Sequence, residues 1–286
     1  MLDDLHQLLT GSGWMLRRLQ DEVAVQIPPI SYHELPIEPI KLSAQEVAKE
    51  WPDYSQQMVQ LQAKLDYEEE LIRLALGQPN LLDKDKVAIL EGLAGSIAAL
   101  RRYTGLQKVD SVADLLTQEL GADEYPKVVI FFVHRSVGEA LQTRLSPFGA
   151  HLLYGGLTPR RRDEIIQDFQ RPEAGARVIL VQYQAGATAI NLQVAHQVVC
   201  VEVPWIGSEL AQGVKRCHRI GQKSPVHVRF ATLINSYDEV IMNLLRRRAR
   251  EINHILDGQP RELMQDTPAD PNLLKTPAEL RRMVLG

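Results

Sequence analysis

The pattern of apolar and polar positions changes character twice along the chain. Up to Ile40 it is sparse. Leu9 to Val23 carries apolar residues at helical spacing, and Ile27-Pro28-Pro29 stops any helix there. Ser31 to Ile40 alternates apolar and polar residues in part and predicts an edge strand, with prolines limiting its pairing. From Leu42 to Tyr103 the spacing is helical throughout. Tyr54 to Leu76 is charged and heptad-like, Pro79-Asn80 breaks it, and Lys86 to Tyr103 carries Ala and Leu on one face. The short break predicts a pair of antiparallel helices.

Beyond Tyr103 strands and helices alternate. Val128 to Val133 is a continuous apolar run, as expected of a strand buried on both faces. Further strands are predicted at His151 to Tyr154, Val178 to Gln182, Val198 to Val203 and Val226 to Leu233. Helices are predicted at Ser136 to Leu145, at Pro159 to Phe169, and around Arg216 and Arg219. Ser236-Tyr237-Asp238-Glu239 is a capping-box match that opens a closing helix, Tyr237 to Leu256. Strands separated by helices predict an α/β fold, a doubly wound parallel sheet with right-handed crossovers. In such sheets ligands sit at the carboxyl ends of the strands, and the candidate motifs are expected there. Gly258 to Gly286 is Pro- and Asp-rich and ends in a short amphipathic piece, a tail or a brace.

Composition narrows the function classes. A chain of 286 residues with 45% apolar residues is long enough for one or two domains with a sizeable core. The net charge of −4 supplies no global basic field, so any nucleic-acid surface has to be local. Cys200 and Cys217 lack metal-ligand spacing and fit a reducing intracellular compartment, a bacterial or phage cytoplasm or a nucleus. No apolar run is long enough to span a bilayer, and Met1 to Met15 lacks a signal-peptide pattern, so a soluble protein is expected.

The chemistry concentrates in Gln212 to Gln222, Q-G-V-K-R-C-H-R-I-G-Q. On a helix, Gln212, Arg216 and Arg219 share one face. Two planar guanidiniums beside an amide suit phosphate oxygens and the charge that develops in phosphoryl transfer. A solvated basic helix end is the plain alternative. The motif Q-x-x-x-R-x-x-R-I-G-Q resembles the last helicase motif of the Swi/Snf-like branch of superfamily two, the DNA-translocating ATPases. The resemblance extends from about Trp14 to Ile252.

Other phrases carry it further. W-M-L-R-R-L-Q-D-E-V-x-x-x-I-P-P (Trp14 to Pro29) is similar to the segment that crosses between the lobes. R-R-Y-T-G-L-x-K (Arg101 to Lys108) follows the position of the family's helical protrusion. F-F-V-H-R-S (Phe131 to Ser136) matches a region that touches DNA phosphates. Gly155, Arg162 and Phe169 keep a G-x(6)-R-x(6)-F spacing, with Arg162 often structural. Thr158 is a natural N-cap before Pro159. Q-Y-Q-A-G-A-T-A-I-N-L-Q (Gln182 to Gln193) resembles the loop T-x-A-G-G-x-G-I-N-L, which joins the nucleotide site to the DNA groove. It departs at Tyr183, Ala187 and Ala189, and each methyl restricts φ where the family has glycine. V-P-W (Val203 to Trp205) matches x-P-W-N-P, with Ile206-Gly207 in place of Asn-Pro and Trp205 expected as a packing anchor.

The resemblance implies the second RecA-like lobe of a two-lobed motor. Residues 1–40 would be the crossing segment and edge strand, 41–104 the protrusion, 105–257 the lobe and 258–286 the tail. It assigns Arg216 and Arg219 to catalysis and Gln212 and Gly186 to ATP. It assigns Arg135, Gly155, Thr158, Tyr183 and Gln184 to DNA. The sequence holds no G-x-x-x-x-G-K-[ST]. Asp3-Asp4-Leu5-His6 only superficially resembles a D-E-x-H box, because it lies in a helical pattern with no strand before it. ATP and Mg2+ would therefore be bound mainly by an N-terminal ATPase lobe, in cis or in trans. Two other readings stay open: a non-catalytic DNA- or protein-binding module, and an RNA helicase or restriction motor, against which R-I-G-Q speaks. Among relatives the spacing leans toward annealing helicases.

Overall fold

The computed structural model describes residues 2–11, 27–38, 101–171 other than Tyr103, 175–186, 190–204 and 207–234, with single positions between 236 and 249. The expected helix pair before residue 101, the 14–26 segment, Trp205-Ile206 and the tail lie outside the described residues.

Six strands form one sheet: β1 (Ile30–Ile37), β2 (Val128–Phe132), β3 (Ala150–Leu153), β4 (Val178–Gln182), β5 (Gln197–Cys200) and β6 (Val226–Leu233). Their order is β1-β6-β5-β2-β4-β3, and every neighbouring pair is parallel. The helices are α1 (Leu2–Gly11), α2 (Val109–Gly121), α3 (Arg135–Arg144), α4 (Pro159–Gln170), the single turn α5 (Tyr183–Gly186) and α6 (Gly207–Val214).

The apolar run in β2 explains its central place between β4 and β5. All five of its residues are fully buried, and they alternate between two cores. Val129 and Phe131 join Ile165 and Phe169 of α4 and Leu210 and Val214 of α6 on one face. Val128, Ile130 and Phe132 join Val112, Leu116 and Leu120 of α2 and Leu141 of α3 on the other. Each buried apolar side chain of this size is worth roughly 1.5–3 kcal/mol. Gly138 of α3 lies against the ring of Phe132, where an added Cβ would come within 2.6 Å.

The strand expected at Ser31 to Ile40 is β1, which among the described residues is an edge strand paired with β6 alone, with Pro36 opposite Thr232. The strand expected at Val198 to Val203 ends at Cys200, where Val201 N–H makes the last ladder bond to Phe131 O at 3.0 Å and the chain then bends.

The largest correction concerns the helix expected to carry Arg216 and Arg219. α6 ends at Val214, and both arginines lie in the turn that follows. Two physical causes are visible. Arg216 N–H and Cys217 N–H bond the carbonyls three residues back, at 3.0 Å each, which tightens the chain out of α-helical pitch. Gly221 then turns through φ +98, a region that favours glycine, with Gln193 within 3.0 Å of where a Cβ would sit.

Residues around 101–108 are helical and dock on the sheet through a buried polar cluster. Lys108 Nζ donates to Ala231 O at 2.9 Å and to Asp238 Oδ2 at 2.5 Å. Thr104 Oγ1 donates to the other Asp238 oxygen at 3.0 Å, and Arg101 donates to Val203 O. The Ser236 hydroxyl accepts from Asp238 N–H at 3.1 Å and donates to Leu233 O at 2.7 Å, tying the end of β6 to the residues that follow.

Candidate functional site

All strands point the same way, so segments that follow a strand lie on one rim of the sheet and segments that precede one lie on the other. The carboxyl rim collects the turns after β2, β3 and β4. Arg135 opens α3, is exposed, and pairs through Nε with Glu139 at 2.7 Å. Its guanidinium lies over the ring of Tyr154, 4.2 Å from the centroid. Gly155 and Gly156 form an exposed turn in which Gly156 takes φ +98. Thr158 caps α4, accepting from Arg161 N–H at 3.3 Å, with Pro159 in the first turn. Gln184 is exposed on α5, and Gly186 ends that turn.

Two polar side chains lock these turns together. Gln182 accepts from Gly155 N–H at 3.2 Å and donates to Val133 O at 2.9 Å, joining the end of β3 to the end of β2. Glu202 is buried, and its carboxylate takes Val133 N–H (2.9 Å), His134 N–H (2.8 Å) and the His134 ring (2.5 Å). His134 is thus a satisfied strand-end residue. Arg162 donates to Ala185 O at 2.5 Å, tying α4 to α5 in a structural role. Sequence reasoning missed Glu202, although a lone carboxylate inside V-V-C-V-E-V-P was a visible signal.

Tyr183 departs from its expected place in the DNA set. Its ring stacks on Phe131 at 5.1 Å inside the core, and burial pushes its hydroxyl pKa well above the usual value. The hydroxyl faces the Cys200 thiol and does not open onto the carboxyl rim. Burial also pushes the Cys200 thiol up to about 12 and raises that of Cys217, so neither is a thiolate at neutral pH.

The arginine turn lies on the opposite, amino rim, which corrects the expectation that every motif sits at the carboxyl ends. The reason is topological. α6 leaves the carboxyl end of β5 and runs back across the sheet, so the turn between it and β6 must lie where the strands begin. Gln222 pins this turn. Its Nε2 donates to Gln193 O (3.1 Å), Ala195 O (3.0 Å) and Cys217 O (3.2 Å), while its Oε1 accepts from Lys223 N–H (2.8 Å) and Ser224 N–H (3.1 Å). Arg216 O accepts from Leu192 N–H at 2.9 Å, and the His218 ring meets Pro28 O at 2.7 Å. Gln212 is exposed in the last turn of α6, Arg216 is half-buried and Arg219 is exposed. Among the described residues, nothing pairs with the Arg219 guanidinium.

The segment from Tyr183 to His196 joins the rims. It leaves the carboxyl end of β4 and arrives, through the Arg216–Leu192 and Gln222–Gln193 bonds, at the arginine turn. Among the described residues no group of three or more His, Cys, Asp or Glu could hold a metal ion, and no helix is long and apolar enough to cross a membrane.

Residues 107–221 match the family described as helicase conserved C-terminal domain. The chain is 24% identical over 267 residues to the human DNA annealing helicase and endonuclease ZRANB3, a match that covers 93% of this chain and 22% of that protein. It is 30% identical over 169 residues to the ATP-dependent helicase rhp16 of Schizosaccharomyces pombe, which covers 58% of this chain and 20% of that one. The chain thus spans about a fifth of the length of these relatives. The C-terminal part of the Fun30 ATPase domain superposes with a TM-score of 0.55 at 16% identity, covering 77% of this chain and 90% of that one. Residues 107–221 thus carry a helicase conserved C-terminal domain on an all-parallel, RecA-like α/β sheet, in a chain whose relatives are Swi/Snf-related helicases.

Proposed function

We propose that the chain is the second lobe of an ATP-dependent double-stranded DNA translocase, with its nucleotide-facing and DNA-facing chemistry on opposite rims of one sheet. The observation that carries this reading is the arginine turn: an exposed Arg219 beside Arg216, on a turn that Gln222 holds by five hydrogen bonds. A guanidinium with no partner among the described residues fits the terminal phosphate of a nucleotide presented by another lobe. ATP and Mg2+ would be held mainly by that lobe, which supplies the P-loop and acidic box that this sequence lacks. The nucleotide supplies the phosphoryl group. Arg216 and Arg219 would place fixed positive charge where negative charge develops, with Gln212 beside them.

On the carboxyl rim, Arg135, the Gly155 turn, the capped start of α4 and Gln184 would contact the phosphate backbone. Such contacts position without reading sequence and weaken steeply with salt. The Tyr183–His196 segment would connect the two events. Gly186 enters at its first turn, through the backbone.

The test is DNA-stimulated ATP hydrolysis with a first lobe supplied in cis or in trans. Arg219→Ala is expected to lower turnover by about 10³–10⁵, the range for a lost arginine finger, with the thermal melt unchanged. Full turnover in that variant would overturn the reading.

A further inference from the structure

Arg135 is held more firmly than an exposed helix-start arginine usually is. Its Nε–H is taken by Glu139 at 2.7 Å, which fixes rotation within the guanidinium plane. The plane itself is fixed by the Tyr154 ring, 4.2 Å from the guanidinium carbon. Tyr154 is in turn half-buried and packed against the core formed by Leu152, Val137 and Leu141. Gln182 ties the two turns that carry this pair, bonding Val133 O before Arg135 and Gly155 N–H after Tyr154. The stack therefore spans two connected turns of the carboxyl rim. With Nε engaged and one face covered, the two Nη groups of this exposed side chain are left as a fork that no described residue takes.

We propose that Tyr154 is a positioning residue for nucleic-acid binding: its ring presents the Arg135 guanidinium as a ready-made fork for one backbone phosphate. The inference rests on the proposed function of the carboxyl rim and adds a residue to it. Stacking on an aromatic face removes rotamers that a free arginine side chain would lose on binding, so its benefit appears as affinity. It needs the aromatic ring and not the phenol hydroxyl. It also vanishes when Arg135 is absent, which a purely structural role for Tyr154 would not predict.

The test measures binding of the full chain to a fluorescently labelled short DNA duplex by anisotropy across a salt series. Arg135→Ala is expected to weaken binding and flatten the slope of log affinity against log salt by about 0.9, the value of one lost phosphate contact. Tyr154→Leu is expected to weaken binding about three- to fivefold, and Tyr154→Phe to stay within about twofold. In the Arg135→Ala background, Tyr154→Leu is expected to cost nothing more. If Arg135→Ala weakens binding and Tyr154→Leu does not, or if the tyrosine effect persists without Arg135, this inference falls and the rim assignment stands. If both single variants bind as wild type does, the inference and the assignment of this rim to DNA fall together.

Discussion

At the scale of single residues, the side chain that changes meaning most is Tyr183. Its position in the motif placed it in the DNA set, yet the ring lies flat on Phe131 with Gly213 of α6 close above it. Spacing along the sequence locates a residue after a strand, but it does not say on which side of the sheet the next side chain falls. Tyr183→Phe is expected to leave DNA affinity unchanged and to shift stability by less than about 1 kcal/mol, since the hydroxyl is enclosed without a strong acceptor. Anisotropy titration and chemical denaturation check both halves; a loss of affinity would restore the tyrosine to the DNA set. Thr158 shows the opposite case. Thr-Pro before a polar-apolar helical run is a local signal, and local geometry alone puts the hydroxyl on Arg161 N–H. Such residues were legible because their partners are within one turn of them.

Elements were legible where periodicity decides them and illegible where a distant partner does. β2, β4, α4 and β6 fall where the apolar pattern put them, because two-sided burial and one-sided burial leave different periods. α6 stops short because Gln222 and Leu192 bind the turn from outside the helix, which no helical propensity records. The helical residues around 101–108 depend on a partner 130 positions away, the Lys108–Asp238 pair. Lys108 is nearly fully buried and Asp238 largely so. Removing one member of a buried pair strands the other charge, a cost of about 3–5 kcal/mol. Without Asp238 the deeply buried Lys108 ammonium keeps only Ala231 O, whereas without Lys108 the Asp238 carboxylate keeps Thr104 Oγ1, Leu233 N–H and some solvent. Asp238→Ala should therefore destabilise the lobe by about 3–5 kcal/mol, and Lys108→Met by clearly less. Urea denaturation of the two variants gives the comparison, and equal losses would count against the ion pair as the anchor.

The whole molecule has an acid limit that follows from where its ionisable groups are placed. His196 is held below its ordinary pKa by burial and by neighbouring His227. Unfolding lets it take up a proton, so its contribution is present above the unfolded value of about 6.5 and fades as pH falls through the folded one. Glu119 is pushed up by burial, but its hydrogen bonds to Arg229 and Tyr125 and the Arg229 charge outweigh that and hold it below the usual carboxylate value. Asp168 is lowered chiefly by its hydrogen bond with His151. Both carboxylates add stability above their unfolded values, near pH 4, that is lost below them. The melting temperature should therefore decline first as pH falls below about 6.5 and again, more steeply, below about 4. Glu119→Gln should flatten the second decline, and an unchanged profile in that variant would remove the Arg229–Glu119 bridge from the account.

The same scale poses the question of communication, because the two candidate surfaces lie on opposite rims and share no residue. A motor built this way needs a physical connection with two arrangements, and proximity alone does not provide one. The segment from Tyr183 to His196 is the covalent route, and Gln222 is where it meets the arginine turn. One amide nitrogen there donates to carbonyls at Gln193, Ala195 and Cys217, while the amide oxygen serves the two N–H groups that follow. Gln222→Glu keeps the shape and reverses the sense of that nitrogen, setting an acceptor against three acceptors. The expected result is a stability loss of about 1–3 kcal/mol from unsatisfied buried groups. The proposed function adds a second consequence, loss of DNA stimulation of ATP turnover in the two-lobed protein while the chain still binds duplex DNA through the carboxyl rim. Stimulation that survives in a folded Gln222→Glu protein would mean that the rims communicate by another path, through the sheet or through the lobe interface.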